Sequence, residues 1–188
     1  MYTINESNNN EIIVKNSKFI GIIYNVKDEN GIKSILENLK KEYKDATHIC
    51  YAYKLENKEK SSDDGEPTGT AGLPIMEVIN KNDLINTLIV VIRYFGGTLL
   101  GAGGLIRAYS KAAREVLKKC TLEEYIKYNY YEVTTDYDNL KLLNTLTNDL
   151  NIETKKFDDK IIYKIKIKEA DDDIYKRFEK TSIKVIKY

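Results

Sequence analysis

The sequence predicts an α+β protein made of two domains, residues 1–124 and residues 125–188. Hydrophobic residues make up 42% of the 188 residues, which is enough apolar surface for one large core or two small ones. Strand-like and helix-like segments alternate in both halves of the chain. All glycines, prolines and cysteines and the one histidine lie in the first half, and the pattern changes between Lys119 and Lys127.

The first half is predicted as a mixture of strands and helices. β-branched and aromatic runs predict strands, and apolar residues three or four positions apart predict helices. The predicted segments are strands at 12–14 and 19–24 with a turn at Asn16-Ser17, a helix from its cap at Asp28 to about Tyr43, a strand at 47–55, a loop at 56–70, strands at 75–79 and 87–95, a glycine loop at 96–104, and a helix from Leu105 onward.

The second half is predicted as a small sheet with two helices. The predicted segments are a strand at 128–134, a helix at 139–150, strands at 152–157 and 160–168, a helix at 171–179 and a strand at 182–187. This βαββαβ order is the ferredoxin-like, or split βαβ, arrangement. The segment has no catalytic constellation, so we expect a binding or packing module.

Composition restricts the function only loosely. The chain has 30 basic and 29 acidic residues, so nucleic-acid binding would need a local basic patch. Cys50 and Cys120 lie far apart and His48 is the only histidine, which predicts reduced thiols and no zinc site. We expect no cofactor and no metal site built on these residues. No apolar run approaches the roughly 20 residues that span a bilayer, and the start of the chain does not resemble a signal peptide. We therefore expect a cytoplasmic protein without a membrane partner.

Two glycine-rich blocks stand out from the rest of the sequence. Residues 61–74 (SSDDGEPTGTAGLP) and 93–109 (RYFGGTLLGAGGLIRAY) contain eight of the ten glycines and both prolines. Glycine loses much conformational freedom on folding, so its concentration indicates positive φ angles or close approach of the backbone to a ligand. The functional site is expected in these blocks.

The second block lies between a predicted buried strand and an amphipathic helix. The start of a helix has free N–H groups and a positive dipole end, and glycines allow an anion to approach them. Residues 103–120 also carry five basic residues against one acidic residue. The alternative is a tight turn followed by a solvated helix face; the spacing matches neither a Walker A loop nor a dinucleotide fingerprint. The predicted anion- or nucleic-acid-binding residues are Arg93, Gly96, Gly97, Gly101, Gly103, Gly104, Arg107, Lys111, Arg114 and Lys118.

The first block admits three interpretations. Closely spaced oxygen ligands could hold Mg²⁺, the loop could contact a ligand or partner, or it could be purely structural. The residues concerned are Ser61, Ser62, Asp63, Asp64, Gly65, Glu66, Pro67, Thr68, Gly69 and Thr70.

His48, Asp63 and Asp64 are weak candidates for catalytic residues. A histidine needs an acid, base or nucleophile nearby to act in catalysis, and a structural, hydrogen-bonded histidine is the favoured interpretation. Cys50 lies two residues further along the same predicted strand, on the same face, so a Cys/His dyad is conceivable.

Together these blocks resemble the YigZ/IMPACT family. The resemblance covers residues 5–120 and runs through Lys15, Ser17 and Phe19, through Ala46-Thr47-His48 with Ala52, and through both glycine-rich blocks. It implies a two-layer α/β fold like domain 2 of ribosomal protein S5 for the first domain. The second domain resembles the last domain of elongation factor G.

The resemblance implies a connection to translation. Eukaryotic IMPACT proteins regulate translation during amino-acid starvation, using an additional N-terminal domain. We expect no such domain in this chain, so that regulatory role does not carry over directly. We therefore expect a protein that binds RNA, the ribosome or a translation factor. The alternative is an enzyme that acts on a phosphorylated small molecule or nucleic acid, with the glycine loop as a phosphate cradle.

Overall fold

The computed structural model describes all residues, 1–188, and divides the chain into two compact units, Met1–Tyr125 and Ile126–Tyr188. The division lies inside the segment where the sequence pattern changes. Each unit has its own sheet and its own cluster of buried apolar side chains.

The first unit contains seven strands and three helices. They are β1 (Tyr2–Ile4), β2 (Asn8–Val14), β3 (Ser17–Asn25), α1 (Glu29–Glu42), β4 (His48–Lys54), β5 (Glu59–Ser62), α2 (Gly72–Lys81), β6 (Thr87–Tyr94), α3 (Ala102–Leu117) and β7 (Leu122–Glu124).

An antiparallel five-stranded sheet in the order β2-β3-β6-β4-β5 forms the centre of this unit. Helix α1 covers one face, where Ile32 and Leu39 join the apolar side chains of the strands. Helices α2 and α3 cover the other face. The unit therefore has three layers, and the expected two-layer arrangement is wrong. The continuous apolar run of β6 reflects this, because seven of its eight residues are buried and both faces of the strand are covered.

Several local predictions are confirmed. Asp28 caps α1, since its side chain accepts a hydrogen bond from the Gly31 N–H at 2.8 Å. The β2–β3 hairpin turns at Lys15 and Asn16, whose φ angles of 45° and 66° are those of a tight hairpin turn, one residue before the predicted position. The strand predicted at 87–95 is β6.

Three predictions for the first half are wrong. Residues 75–79 form part of helix α2 rather than a strand, because four apolar residues there, with spacing that also fits a helix, pack against the sheet. The predicted loop at 56–70 contains the edge strand β5, which pairs with β4. Helix α3 begins at Ala102, so Gly103 and Gly104 lie in its first turn and not in the loop.

The predicted linker 119–127 contains a strand that the sequence did not indicate. β7 pairs with β1 through three residues in register, so both ends of the first unit meet in a two-stranded sheet. Each strand is only three residues long, too short to show a strand pattern, and β7 (Leu-Glu-Glu) is also polar, which explains why neither strand was predicted.

The second unit has the predicted βαββαβ order. Its elements are β8 (Tyr128–Thr135), α4 (Leu140–Leu146), β9 (Asn151–Phe157), β10 (Ile161–Lys168), α5 (Ile174–Phe178) and β11 (Lys184–Lys187). The strands form one antiparallel sheet in the order β11-β8-β10-β9. Both helices are shorter than predicted, with single 3-10 turns ahead of them at Tyr137–Asn139 and Glu169–Asp171.

None of the helices combines the length and the apolar character that crossing a membrane requires.

We expect the two units to fold when they are expressed separately as residues 1–125 and 126–188, because each has its own core. Each fragment should unfold cooperatively in urea, followed by circular dichroism. Residues 1–121 serve as the matched control, since this fragment lacks β7 and should be less stable than 1–125. A fragment that stays unfolded would show that the halves share a core.

Candidate functional site

The two glycine-rich blocks meet at one cleft in the first unit. The cleft has a volume of about 430 Å³, within the range of small-molecule sites. The first block contributes Gly65, Glu66 and Pro67, and the second contributes Arg93 and the loop leading into α3. Thr47 and His48 complete the lining from β4 and the residue before it. The fold therefore brings the two blocks, which are separate in the sequence, to one cleft.

A buried ion pair lies at the floor of this cleft. Nη1 of Arg93 donates to Oε1 of Glu66 at 2.5 Å, and the Tyr109 hydroxyl donates to the same oxygen at 2.7 Å. The side chains of Glu66 and Arg93 are only 3% and 6% exposed. Removing either partner would leave a charge in a poorly hydrated environment. The pair therefore fixes the first block to the end of β6 and to α3.

The Arg93 guanidinium is not fully satisfied. Its Nε is buried and has no hydrogen-bond partner, although Arg93 lies between the aromatic rings of Phe19 and Phe95 at 5.5 and 5.6 Å. Buried polar atoms in native proteins are nearly always hydrogen-bonded. This donor is therefore a candidate for bonding to a molecule in the cleft.

His48 is held in one orientation at the edge of the cleft. Its Nδ1 lies 2.8 Å from the main-chain oxygen of Asp64, which can only accept, so Nδ1 carries the proton. In the neutral ring Nε2 is then the free nitrogen, and it lies 4.0 Å from Oε1 of Glu66. The histidine is hydrogen-bonded, as favoured by the sequence, and it also borders the cleft.

Asp63 and Asp64 organise the first block through the backbone. Oδ1 of Asp63 accepts from the N–H groups of Ala71 and Gly72 at 3.0 and 2.8 Å, and Oδ2 accepts from Gly69 at 2.8 Å. Asp64 accepts from the N–H of Ile49 at 2.7 Å. These carboxylates are used to hold the loop and do not line the cleft.

The hydrogen bonds to Asp63 also decide its protonation. Burial raises the pKa of this carboxyl, but the three backbone donors outweigh burial, and the pKa lies below its ordinary value. Asp63 is therefore ionised at neutral pH, a poor state for a general acid.

Cys50 does not form a dyad with His48. Its Sγ lies 3.0 Å from the main-chain oxygen of Asp63 and 3.4 Å from the Tyr109 hydroxyl. Burial raises the pKa of the thiol to about 12, so almost no thiolate forms at neutral pH. The residue behaves as a small buried apolar side chain.

Gly96 and Gly101 of the second block meet different structural requirements. A Cβ on Gly96 would lie 2.1 Å from the backbone of Asn16, so this position is closed by the β2–β3 hairpin. Gly101 has a φ of 69° and precedes α3, with open space where a Cβ would lie. Gly96 is thus structural, whereas Gly101 leaves the start of α3 accessible from the cleft.

The remaining loop residues lie around these groups. Ser61 and Ser62 belong to β5, opposite Ala52 and Tyr51. The hydroxyl of Thr70 donates to the main-chain oxygen of Pro67 at 2.6 Å, and Thr68 is exposed. Gly97 is exposed as well.

Four basic residues lie on the outer face of α3, as predicted. We call Arg107, Lys111, Arg114 and the cap residue Lys118 the basic stripe; all four are exposed. Most apolar residues of α3 are buried, with Ile106 as an exposed exception. Arg107 and Lys111 also line a shallow groove of about 280 Å³ together with Lys15 of the β2–β3 turn. Lys118 is paired with Glu115 at 2.7 Å.

No group of three or more His, Cys, Asp or Glu side chains is placed to hold a metal ion. A larger depression of about 730 Å³, lined by residues 27–30 and 55–58 among others, contains none of the predicted site residues.

Comparison with known proteins supplies the family. The sequence model of the Impact N-terminal domain matches residues 15–117, more than half of the chain and nearly all of the first unit. The chain belongs to the IMPACT family. The match contains the cleft, the buried ion pair and the basic stripe.

Bacterial members of the IMPACT family align over most of this chain. Member YvyE of Bacillus subtilis is 40% identical over 139 residues, which are 72% of this chain and 64% of that protein. Member YigZ of Escherichia coli is 33% identical over 132 residues, which are 68% of this chain and 65% of that protein. The aligned part is thus slightly under two thirds of either relative.

A solved structure has the same fold throughout. It is described as the crystal structure of a hypothetical protein, and it superposes with a TM-score of 0.71 over 98% of this chain and 95% of its own, at 24% identity. This similarity supports the fold of both units and carries no information on function.

Sequence reasoning missed the central role of Glu66. It appeared only as one acidic residue of the first block, because nothing local marks it as the partner of Arg93, 27 positions away. Tyr109 is the last residue of the second block, and its hydrogen bond to Glu66 depends on the packing of α3.

Replacing Glu66 by Ala should destabilise the first unit by about 3–5 kcal/mol, because Arg93 would stay buried without its counter-charge. Urea unfolding of the full chain measures the loss. Glu77→Ala is the matched control: that glutamate is exposed on α2, so its replacement should change stability by about 0.5 kcal/mol or less. Equal effects would contradict a special role for the buried pair.

Replacing Asp63 by Asn should cost about 1–3 kcal/mol at pH 7, because the amide cannot accept from all three N–H groups. The pKa of Asp63 is lower in the folded state than in the unfolded state, where it is about 3.9. The ionised carboxylate therefore stabilises the fold fully above the unfolded pKa, and this stabilisation is lost as the pH falls through the folded pKa. The difference between wild type and variant should therefore shrink between pH 5 and pH 2.

Urea titrations across that pH range measure the difference. Asp45→Asn is the control, since Asp45 is exposed outside the loop. A difference that stays constant with pH would show that the charge of Asp63 is unimportant.

Proposed function

We propose that this chain binds RNA, free or within the ribosome, and takes part in translation regulation. The observation that carries this is the basic stripe. Its four cations project from one side of α3, and two of them share a groove with Lys15. Clustered cations on one face are the electrostatic footprint of nucleic-acid binding when the chain as a whole is almost neutral.

The start of α3 adds to the attraction for phosphate. The helix is 16 residues long and has neither an acidic residue in its first turn nor a side-chain cap at Gly101, so its N–H groups and dipole are uncompensated there. Arg93, whose buried Nε has no hydrogen-bond partner, lines the adjoining cleft. An anionic group bound there would have donors from both the helix and Arg93.

Family membership supports the connection to translation, because the resemblance to IMPACT proteins implies that role. We further propose that the sheet of the first unit with α2 and α3 is like domain 2 of ribosomal protein S5, with α1 as an additional third layer. We also propose that the second unit is ferredoxin-like, similar to the last domain of elongation factor G. The βαββαβ order and the strand order of the second unit support the ferredoxin-like assignment.

We propose that the two units are separate domains and that the protein is cytoplasmic. A translation factor is the other partner that this role suggests.

An enzyme acting on a phosphorylated small molecule or nucleic acid is the second candidate. The observation that favours it is the orientation of His48, whose Nε2 is free on the side of Glu66 and the cleft. A histidine positioned in this way can act as a general base when a substrate lies within hydrogen-bond reach. In this case the start of α3 and Arg93 would hold the phosphate.

Replacing Lys111, Arg114 and Lys118 together by Ala should weaken RNA binding and reduce its salt dependence. Each phosphate that is no longer neutralised should lower the slope of log K against log salt by about 0.7 to 0.9, so the slope of the triple variant should fall by about 2 to 3. Fluorescence anisotropy of a labelled RNA at several salt concentrations measures both quantities.

The matched control removes three cations from α1, on the opposite face of the sheet. Lys33→Ala/Lys40→Ala/Lys41→Ala changes the net charge equally, and all three lysines are exposed. Equal slopes for the two triple variants, or no RNA affinity in the wild type at low salt, would contradict RNA binding by the stripe. If the wild type binds a mononucleotide tightly and turns it over, and His48→Gln abolishes the turnover, the protein is an enzyme, which is the second candidate function.

A further inference from the structure

The sheet of the second unit has one face that its helices do not cover. Side chains along a strand alternate between the two faces. On β8 and β10 the residues facing the helices, such as Tyr131, Val133 and Ile165, belong to the apolar core. The alternate residues of the same strands are only half-buried, or exposed at the end of β10. We call this second set, with its neighbours on β9 and β11, the open face.

The open face is aromatic and basic. Tyr128 and Tyr130 lie on β8, and Tyr188 follows β11 with its N–H bonded to the main-chain oxygen of Tyr130. Lys166 and Lys168 are the residues directly opposite Tyr130 and Tyr128 on β10. The open face therefore presents three tyrosine rings on the two adjacent strands β11 and β8, beside the lysines of β10.

The charge of this face differs from that of the unit that carries it. Residues 126–188 contain 13 basic and 12 acidic residues, which nearly cancel. The register places five lysines and one glutamate on the open face, namely Lys156, Lys164, Lys166, Lys168, Lys184 and Glu132. The acidic residues are thus concentrated elsewhere, and the face is suited to a polyanion.

The lysines of the open face are available for a ligand. The ion pairs of this unit that involve lysine use Lys127 and Lys160, at strand ends, and none uses the five lysines named above. Nζ of Lys166 lies 4.2 Å from the ring centre of Tyr128, and Nζ of Lys164 lies 5.3 Å from that of Tyr188. Such contacts are weak at exposed positions, about 0.5–1 kcal/mol, so the ammonium groups can turn toward a phosphate.

The rings are placed as neighbours. Tyr128 and Tyr130 are two residues apart on one strand, about 6.6 Å along its axis, and the rings of Tyr130 and Tyr188 have centres 6.2 Å apart. Every base has a π face, so aromatic side chains bind unpaired bases with little regard to sequence. A four-stranded sheet whose aromatic residues stack two or three bases is also a known platform for single-stranded RNA.

We propose that the open face of the second unit is a binding site for single-stranded RNA. Tyr128, Tyr130 and Tyr188 stack unpaired bases, and Lys164, Lys166 and Lys168 contact the phosphates. The observations that carry this are independent of the basic stripe, so the site can exist whether or not the stripe binds RNA. Duplex RNA is excluded from the stacking positions, because its bases are already stacked on each other.

The test measures binding of a fluorescein-labelled, 12-nucleotide single-stranded RNA to the full chain by anisotropy. Tyr128→Ala/Tyr130→Ala should weaken binding by about 5- to 150-fold for each ring that stacks a base. Tyr128→Phe/Tyr130→Phe retains both rings and should bind as the wild type does. Lys164→Ala/Lys166→Ala should lower the salt slope by about 0.7 for each phosphate that is no longer neutralised.

Matched controls come from the helical side of the same unit. Tyr137→Ala removes an exposed tyrosine, and Lys141→Ala/Lys176→Ala removes two exposed lysines on α4 and α5. All of these should leave the affinity unchanged. If the Tyr→Ala variant fails to fold, crosslinking of the wild type to RNA with 5-iodouridine, read by mass spectrometry, should give adducts at Tyr128 or Tyr130.

The variants also separate this inference from the proposed function. If RNA binding is lost in the basic-stripe triple variant but not in the open-face variants, this inference is wrong, and the proposal that the basic stripe binds RNA still stands. Loss in the lysine variant alone, with Tyr→Ala unaffected, would overturn stacking and indicate a nonspecific or acidic protein partner. If the basic-stripe triple variant binds duplex and single-stranded RNA with equal affinity, the proposed single-stranded RNA site on the open face is also wrong.

Discussion

The buried pair of Glu66 and Arg93 is the interaction on which the first unit depends. It joins three parts of the chain that are distant in sequence, because Glu66 lies in the first glycine-rich block, Arg93 ends β6 and Tyr109 belongs to α3. Taking two charges out of water is costly, and their attraction offsets this cost only with good geometry and further hydrogen bonds. The shared oxygen of Glu66 provides both. The cleft exists because this pair holds its two walls together.

The same constraint explains the composition of the glycine-rich blocks. Because the Glu66–Arg93 pair fixes the floor of the cleft, the chain must turn sharply on both sides of it. Gly96 must also lie against the backbone of the β2–β3 hairpin. The carboxylate of Asp63 then uses three N–H groups to close the first block around Glu66. Much of what looks like a catalytic loop in the sequence is therefore a support for one buried ion pair, while Phe95 and Leu99 remain exposed at the cleft.

Short local patterns predicted most helices and strands correctly. Features that depend on contacts between residues distant in the sequence were not predicted. The cap at Asp28, the buried strand β6 and the outward position of the basic stripe follow from short patterns that tertiary structure did not override. The run 75–79 fits a strand or a buried helix equally well, and packing decided for the helix. β1 and β7 are only three residues long, and their pairing with each other makes them strands. Glu66 could not be assigned, since a local pattern does not reveal its partner.

The two basic surfaces differ in what they can distinguish in a nucleic acid. The basic stripe carries cations without aromatic side chains, so it can respond to the density of phosphates and not to whether bases are paired. The open face combines lysines with tyrosine rings, and in the proposed site these rings need an unstacked base, which a duplex does not offer. Under these two proposals, the chain holds RNA through charge in one unit and selects single-stranded segments in the other. Since the charges of the whole chain cancel almost completely, this selectivity must come from where the side chains lie on each sheet and helix and not from composition.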